Sequence, residues 1–204
     1  MMATTHALVG AAIAAVTAVV FPGTAPIALA AAVAGSVFPD LDLYAGHRRT
    51  LHYPAYYWVA LAAVLVVAAL SPTPHAVAAV LFVLGAAVHS VMDAFGGGLE
   101  LRPWEGTSDR AVYDHLNGRW LPPKRWVPYD GAPADLLLAG VLSAPALLVF
   151  GDEPLVRGGL VGVLVVSAAW VTLRRRVASV SERLAASLPA SLQGYVPERF
   201  IAGD

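Results

Sequence analysis

The sequence contains no cysteine. That excludes disulfides, thiolate metal sites and a cysteine nucleophile, so any metal must be held by nitrogen and oxygen. Charge is scarce as well. Asp, Glu, Lys and Arg make up 13% of the 204 residues, and Lys124 is the single lysine among 13 basic side chains. A net charge of −1 removes any electrostatic case for nucleic acid as a partner.

Apolar sequence is what the chain has in excess. The apolar fraction is 58% and the mean hydropathy +0.66, well above an ordinary soluble domain. Runs such as "AYYWVALAAVLVVAAL" (55–70) and "AVAAVLFVLGAAV" (76–88) carry no charge. Six apolar segments follow one another, at 7–21, 25–37, 55–71, 75–95, 134–150 and 155–173. They predict an all-α fold, a polytopic membrane bundle of about six helices. The first two are short for a full crossing, which needs ~20 residues. Whether tilted or re-entrant, that pair, joined by "FPGTAP", returns the chain to its starting side. "ALA" (28–30) resembles a signal-cleavage site, but residues 1–5 have no positive charge and the apolar run outlasts a signal core. The segment therefore reads as retained.

With six segments, the N-terminus, the loops 38–54 and 96–133 and the C-terminal tail share one face. They carry 12 of the 13 basic residues, and Arg157 alone lies on the other. The positive-inside rule makes the crowded face, with both termini, cytoplasmic. The domain reading is one membrane helical unit, residues 1–176, that includes the polar loop 96–133. A weakly amphipathic tail, 177–204, is expected to lie along the membrane surface. The loop holds Trp104, Trp120, Trp126, Tyr113 and Tyr129. It reads either as an interfacial aromatic belt or as a lid rooted on Gly96, Gly97 and Gly98.

Most of the coordinating side chains gather on that same face. His6 precedes the first span, and "FPDLDLYAGHRRTLHYP" (38–54) supplies Asp40, Asp42, His47, Arg48, Arg49 and His52. "HSVMD" closes the fourth span with His89 and Asp93. Ionisable groups at membrane depth are expensive, so their convergence from three segments points to a shared site. His89 and Asp93, at i and i+4, share one helix face and can ligate one cation. Pro39 is expected to end the second helix in an extended stretch, projecting Asp40 and Asp42 to the same side. Of that pair, one can ligate while the other orients a ligand or acts as a base. His52, at the start of the third span, is the preferred histidine of its loop. Arg48 and Arg49 read either as positive-inside residues or as a clamp on a phosphate or carboxylate. His75 lies on the opposite face, and His115 is a possible extra ligand.

The motifs "TTHALVGAAIA", "GSVFPDLD", "HRRTLH" and "HSVMDAF", in that order over residues 4 to 95, resemble the YdjM-like family of membrane-bound metal-dependent hydrolases. The tract "GGGLELRPWEGTSDRAVYDH" looks like an archaeal, haloarchaeal-type branch of it. That family is in turn distantly similar to zinc-dependent phospholipases C and single-strand nucleases. The resemblance implies a metal set of His6, one aspartate of the pair (Asp40, with Asp42 the alternative), His52, His89 and Asp93, with Asp93 bridging two ions. It departs from those relatives after Asp93, where no HxxxE follows.

The expected activity is hydrolysis of a phosphoester or lipid-linked substrate at the cytoplasmic membrane face, with a membrane lipid as partner. A divalent ion, zinc above others, would lower the pKa of bound water to about 7. Asp42 would accept the proton, and Arg48 and Arg49 would hold the developing charge. The alternatives are a metal or proton transporter and a non-catalytic protein that a metal ties together. Transport would need polar groups along a path to the far face, and the fifth and sixth spans offer none midway.

Overall fold

A computed structural model describes residues 1–193 and 195–196. Six helices dominate the described residues: α1 Ala3–Val20, α2 Ala25–Val37, α3 Tyr56–Leu70, α4 Pro74–Met92, α5 Pro133–Phe150 and α6 Pro154–Ser187. Proline opens α4, α5 and α6, where its missing N–H costs nothing. Thr73 caps α4 by accepting from the Ala76 amide at 3.2 Å. Five stretches are long and apolar enough to cross a membrane: α1, Pro22–Asp42, Pro74–Phe95, α5 and α6. This is an integral-membrane pattern, and α3, with 15 residues, is the short member.

One expectation needs correction. The chain from Phe38 to Asp42 is not extended but a 3₁₀ helix that continues α2. At three residues per turn, positions 40 and 42 point to different sides. The sixth helix runs unbroken for 34 residues to Ser187, a length of about 51 Å against a hydrocarbon core of ~30 Å. The first part of the segment read as a surface tail is thus a continuation of that helix.

Small residues set the packing of the first four helices. A Cβ at Gly10 would stand 2.6 Å from the Ala32 carbonyl oxygen, and one at Gly85 2.7 Å from the Ser36 amide. A Cβ at Gly35 would fall on the Phe82 backbone. Between helices in lipid, where hydrophobic driving force is weak, such close approach supplies the van der Waals contact. α2 is consequently wedged between α1 and α4, and its end is fixed relative to theirs.

The loop 96–132 contains an antiparallel hairpin, β1 Val112–Asp114 with β2 Arg119–Leu121, in which Tyr113 faces Trp120. It is secured at both sides. The Tyr113 amide donates to the Arg48 carbonyl at 2.9 Å. On the other side Arg174 of α6 donates to both Asp130 oxygens (2.9 and 3.2 Å) and to the Leu101 carbonyl. Arg102 forms a forked pair with Glu182 at 2.7 and 2.6 Å.

Candidate metal centre

Four side chains from three parts of the chain meet at one end of the bundle. Asp40 lies in the 3₁₀ turn after α2, His52 in the loop before α3, His89 in the last turn of α4 and Asp93 directly after it. One ligating atom from each lies within 4.8 Å of every other. His52 Nε2 is 3.1 Å from His89 Nε2 and 3.2 Å from Asp93 Oδ2. Asp40 Oδ1 is 3.5 Å from His89 Nε2 and 3.9 Å from His52 Nε2. Ligands ~2.1 Å from a tetrahedral zinc ion stand about 3.4 Å apart, so these separations match the edges of such a site.

The outer contacts decide which ring nitrogens face inward. His89 Nδ1 lies 2.6 Å from the Ser36 carbonyl oxygen, which can only accept, so Nδ1 carries the hydrogen. His52 Nδ1 lies 3.0 Å from Asp42 Oδ2 and donates likewise. In the neutral rings both Nε2 atoms therefore present lone pairs to each other and to two carboxylate oxygens. Four acceptors converging at 3 to 4 Å repel unless positive charge sits among them. A divalent cation or protons can supply it, and a carbonyl or carboxylate behind each imidazole is the arrangement that orients histidine ligands. Three of the four are buried. Asp40, 19% exposed, is the member open to its surroundings.

Asp42 does not face the cage. Its Oδ1 accepts from His47 Nδ1 (3.0 Å) and the Arg48 amide (3.3 Å), its Oδ2 from His52 Nδ1 and the Leu51 amide (3.0 Å). With four donors on two oxygens it organises the loop 47–52. Arg48 is buried with φ +60°, a left-handed conformation that a side chain rarely adopts. The contacts that hold it there are the Asp42 bond and its own Nη1, which donates to the Gly97 carbonyl at 2.7 Å. Its Nε stands 3.3 Å from Asp93 Oδ2, balancing that carboxylate's charge. Arg49 is exposed and lies over the Tyr113 ring at 4.5 Å, away from the cage.

His6 stands on the other side of Asp93. Its Nε2 is 3.2 Å from Asp93 Oδ1, and its ring stacks on His89 at 3.7 Å. Asp93 thus offers one oxygen to the four-membered group and the other to His6. The Met1 amino nitrogen also approaches that second oxygen, at 2.8 Å. His115 packs against Tyr53 and Tyr113 in the loop, and exposed His75 begins α4 at the far end.

Electrostatics in the loop follow these contacts. Burial pushes the His52 imidazole down, but bonds to the Asp42 and Asp93 carboxylates more than offset this and leave its pKa above the ordinary value. For His47 burial prevails over the bond to Asp42, helped by the nearby Arg48 charge, and its pKa is lowered.

Sequence reasoning did not reach two of the supports. The Ser36 carbonyl has no side-chain signature. Asp135, buried in the first turn of α5, accepts from the Met2 amide (2.8 Å), Thr5 Oγ1 (2.7 Å) and the Gly131 amide (3.2 Å). It fixes the residues just before His6, and a carboxylate at the head of an apolar span was a visible signal. Comparison with known families, characterised proteins and solved structures returns no match.

Proposed function

We propose that the chain is a membrane-embedded, metal-dependent hydrolase acting on a phosphoester. The observation that carries this reading is the pair of Nε2 atoms 3.1 Å apart, each made an acceptor by its outer partner, with two carboxylates beside them. The donor set suits zinc or another borderline divalent ion, held by Asp40, His52, His89 and Asp93; a neighbouring ion at His6 and the second oxygen of Asp93 would have to displace the Met1 amino group that bonds that oxygen. Such an ion supplies Lewis acidity and an acidic bound water. Asp42 holds the His52 tautomer, while Arg48 neutralises Asp93. Asp40, being partly exposed, marks the side from which a substrate reaches the ligands.

The concentration of Arg and Lys supports a cytoplasmic placement of this end of the bundle by the positive-inside rule. The structural alternative, a metal that merely ties three segments together, draws support from the near-complete burial of three of the ligands. A transporter draws none, because no buried carboxylate or histidine among the described residues continues the cluster toward the far loops.

Metal analysis of purified protein tests the reading. Wild type is expected to retain about one or two zinc-type ions per chain. His89→Ala and Asp93→Ala lose the metal and turnover of a phosphoester panel, whereas the distant His75→Ala keeps both. Retained metal without turnover favours the structural role, and metal-driven flux across liposomes favours transport.

A further inference from the structure

Beside the cage lies a cavity of about 620 Å³, within the range of pockets that enclose a drug-sized ligand. Its lining is of two kinds. Asp40, His47 and Arg48 line it at the candidate metal site, and Glu100 and Asp130 add two further carboxylates. The long wall is one face of α6. Positions 166, 170, 174, 177, 178 and 181 all line it, the i, i+4, i+8, i+11 spacing of a single stripe, and most of these side chains are apolar. Leu41, Leu43 and Tyr44, which follow closely after Asp40 and are 69%, 38% and 84% exposed, also line it.

That stripe is unusual within the fold. α6 touches the first helix at a few places, such as the Ser167–Thr4 hydroxyl pair at 2.8 Å. Val166 and Val177 remain 57% and 38% exposed although they face the cavity. The one charged residue on it, Arg174, is paired with Asp130, which lines the same cavity, and donates to the Leu101 carbonyl. Val166, Trp170, Val177 and Ala178 leave the rest of the wall apolar. A ligand matching both kinds of lining needs a polar head that reaches Asp40 and an apolar chain that lies along α6.

We propose that this cavity takes a single-chain membrane amphiphile, with the chain along α6 between Val166 and Val177 and the head at the Asp40 end. The assignment rests on the hydrolase reading for the chemistry at the head and on the cavity alone for the chain. An acyl chain and an isoprenoid chain satisfy the same wall. Access is lateral, past Leu41 and Tyr44, rather than from bulk water.

Binding to the intact, metal-loaded protein in mild detergent tests this. The probes are palmitoyl lysophosphatidate, geranylgeranyl phosphate and the chain-less glycerol 3-phosphate, read by native mass spectrometry and by competition. One or both of the chain-bearing probes is expected to bind one per protein, and which one does so identifies the chain class. Glycerol 3-phosphate should not compete at equal concentration. Val177→Trp, which fills the wall, is expected to weaken retention at least tenfold, as loss of room for about two methylenes requires. Val166→Trp should act alike, while Leu148→Trp, at an exposed position of α5, should have no effect. Unchanged metal content in all three variants shows that they are folded. Absence of any chain-bearing ligand, equal binding of glycerol 3-phosphate, or indifference to both tryptophans at the wall overturns the proposal. Chain-dependent binding without turnover of any ester would leave the cavity assignment standing and overturn the hydrolase instead.

Discussion

Asp42 shows how much one carboxylate can do without joining the cage itself. Its two oxygens collect His47, His52 and the amides of Arg48 and Leu51, so it sets the tautomer of one metal-facing ring and the path of the loop. Asp42→Asn keeps the size but puts an amide where an acceptor is needed. Outer partners of this kind are worth 10- to 100-fold in metal affinity. Chelator competition should show a loss of that order for Asp42→Asn, against complete loss for Asp93→Ala. An affinity equal to wild type would remove Asp42 from the supporting shell. Asp40 and Asp42 also mark where reading from sequence stops. Both were visible as candidates, but their division of labour depends on the 3₁₀ turn that separates their directions by a large angle. His89 and Asp93 needed no such help, because the i, i+4 spacing on a helix fixes their relation locally. Arg48 was harder, since its burial against Asp93 arises from a left-handed backbone that residue type does not announce.

α1, α2 and α4 each deliver a side chain or a support to the cage, and glycine governs how closely they stand. α2 matters most, because the Ser36 carbonyl bonds His89 while Gly35 beside it meets Phe82 of α4. Gly35→Ala would force α2 and α4 apart. It is expected to lower the melting temperature and metal retention together, measured by scanning fluorimetry and metal content. The paired control is Gly158→Ala in α6, where a Cβ would meet nothing within 4 Å. In a helix that change favours folding by about 0.5–1 kcal/mol, so its melting temperature should hold or rise. An equal loss in both variants would show that the close approach is unimportant. The positions of these helices were legible from apolar runs, because any segment with so little charge has one stable place to go. Their ends were less so. Nothing in "RRRVASVSER" (174–183) says whether a helix leaves the membrane or stops there, and α6 continues because Arg174 and Glu182 find partners on the loop. The hairpin at Val112–Leu121 went unread, being three residues a side within a tract dominated by turn formers.

The bundle as a whole is polarised. Among the described residues the cage, the long loop and 11 of the 12 basic side chains belong to one end, and the short turns at 21–24, 71–73 and 151–153 to the other. The absence of cysteine makes the direction of this polarity measurable with single substitutions. Gly23→Cys and Glu153→Cys should react with an impermeant maleimide in intact cells, whereas Leu116→Cys, exposed on the hairpin turn, should react only after permeabilisation. The reverse pattern would turn the molecule over and put the cage at the outer surface. Which segments share an end could be counted from the sequence. That they converge to within bonding reach could not, because it depends on small-residue packing spread over three helices.

All four members of the cage, and His6 beside it, precede residue 94. While the ribosome is still making the final two helices, the nascent polypeptide already owns every imidazole and carboxylate it will use. The group that could hold an ion is therefore complete in the nascent chain before the last two helices exist.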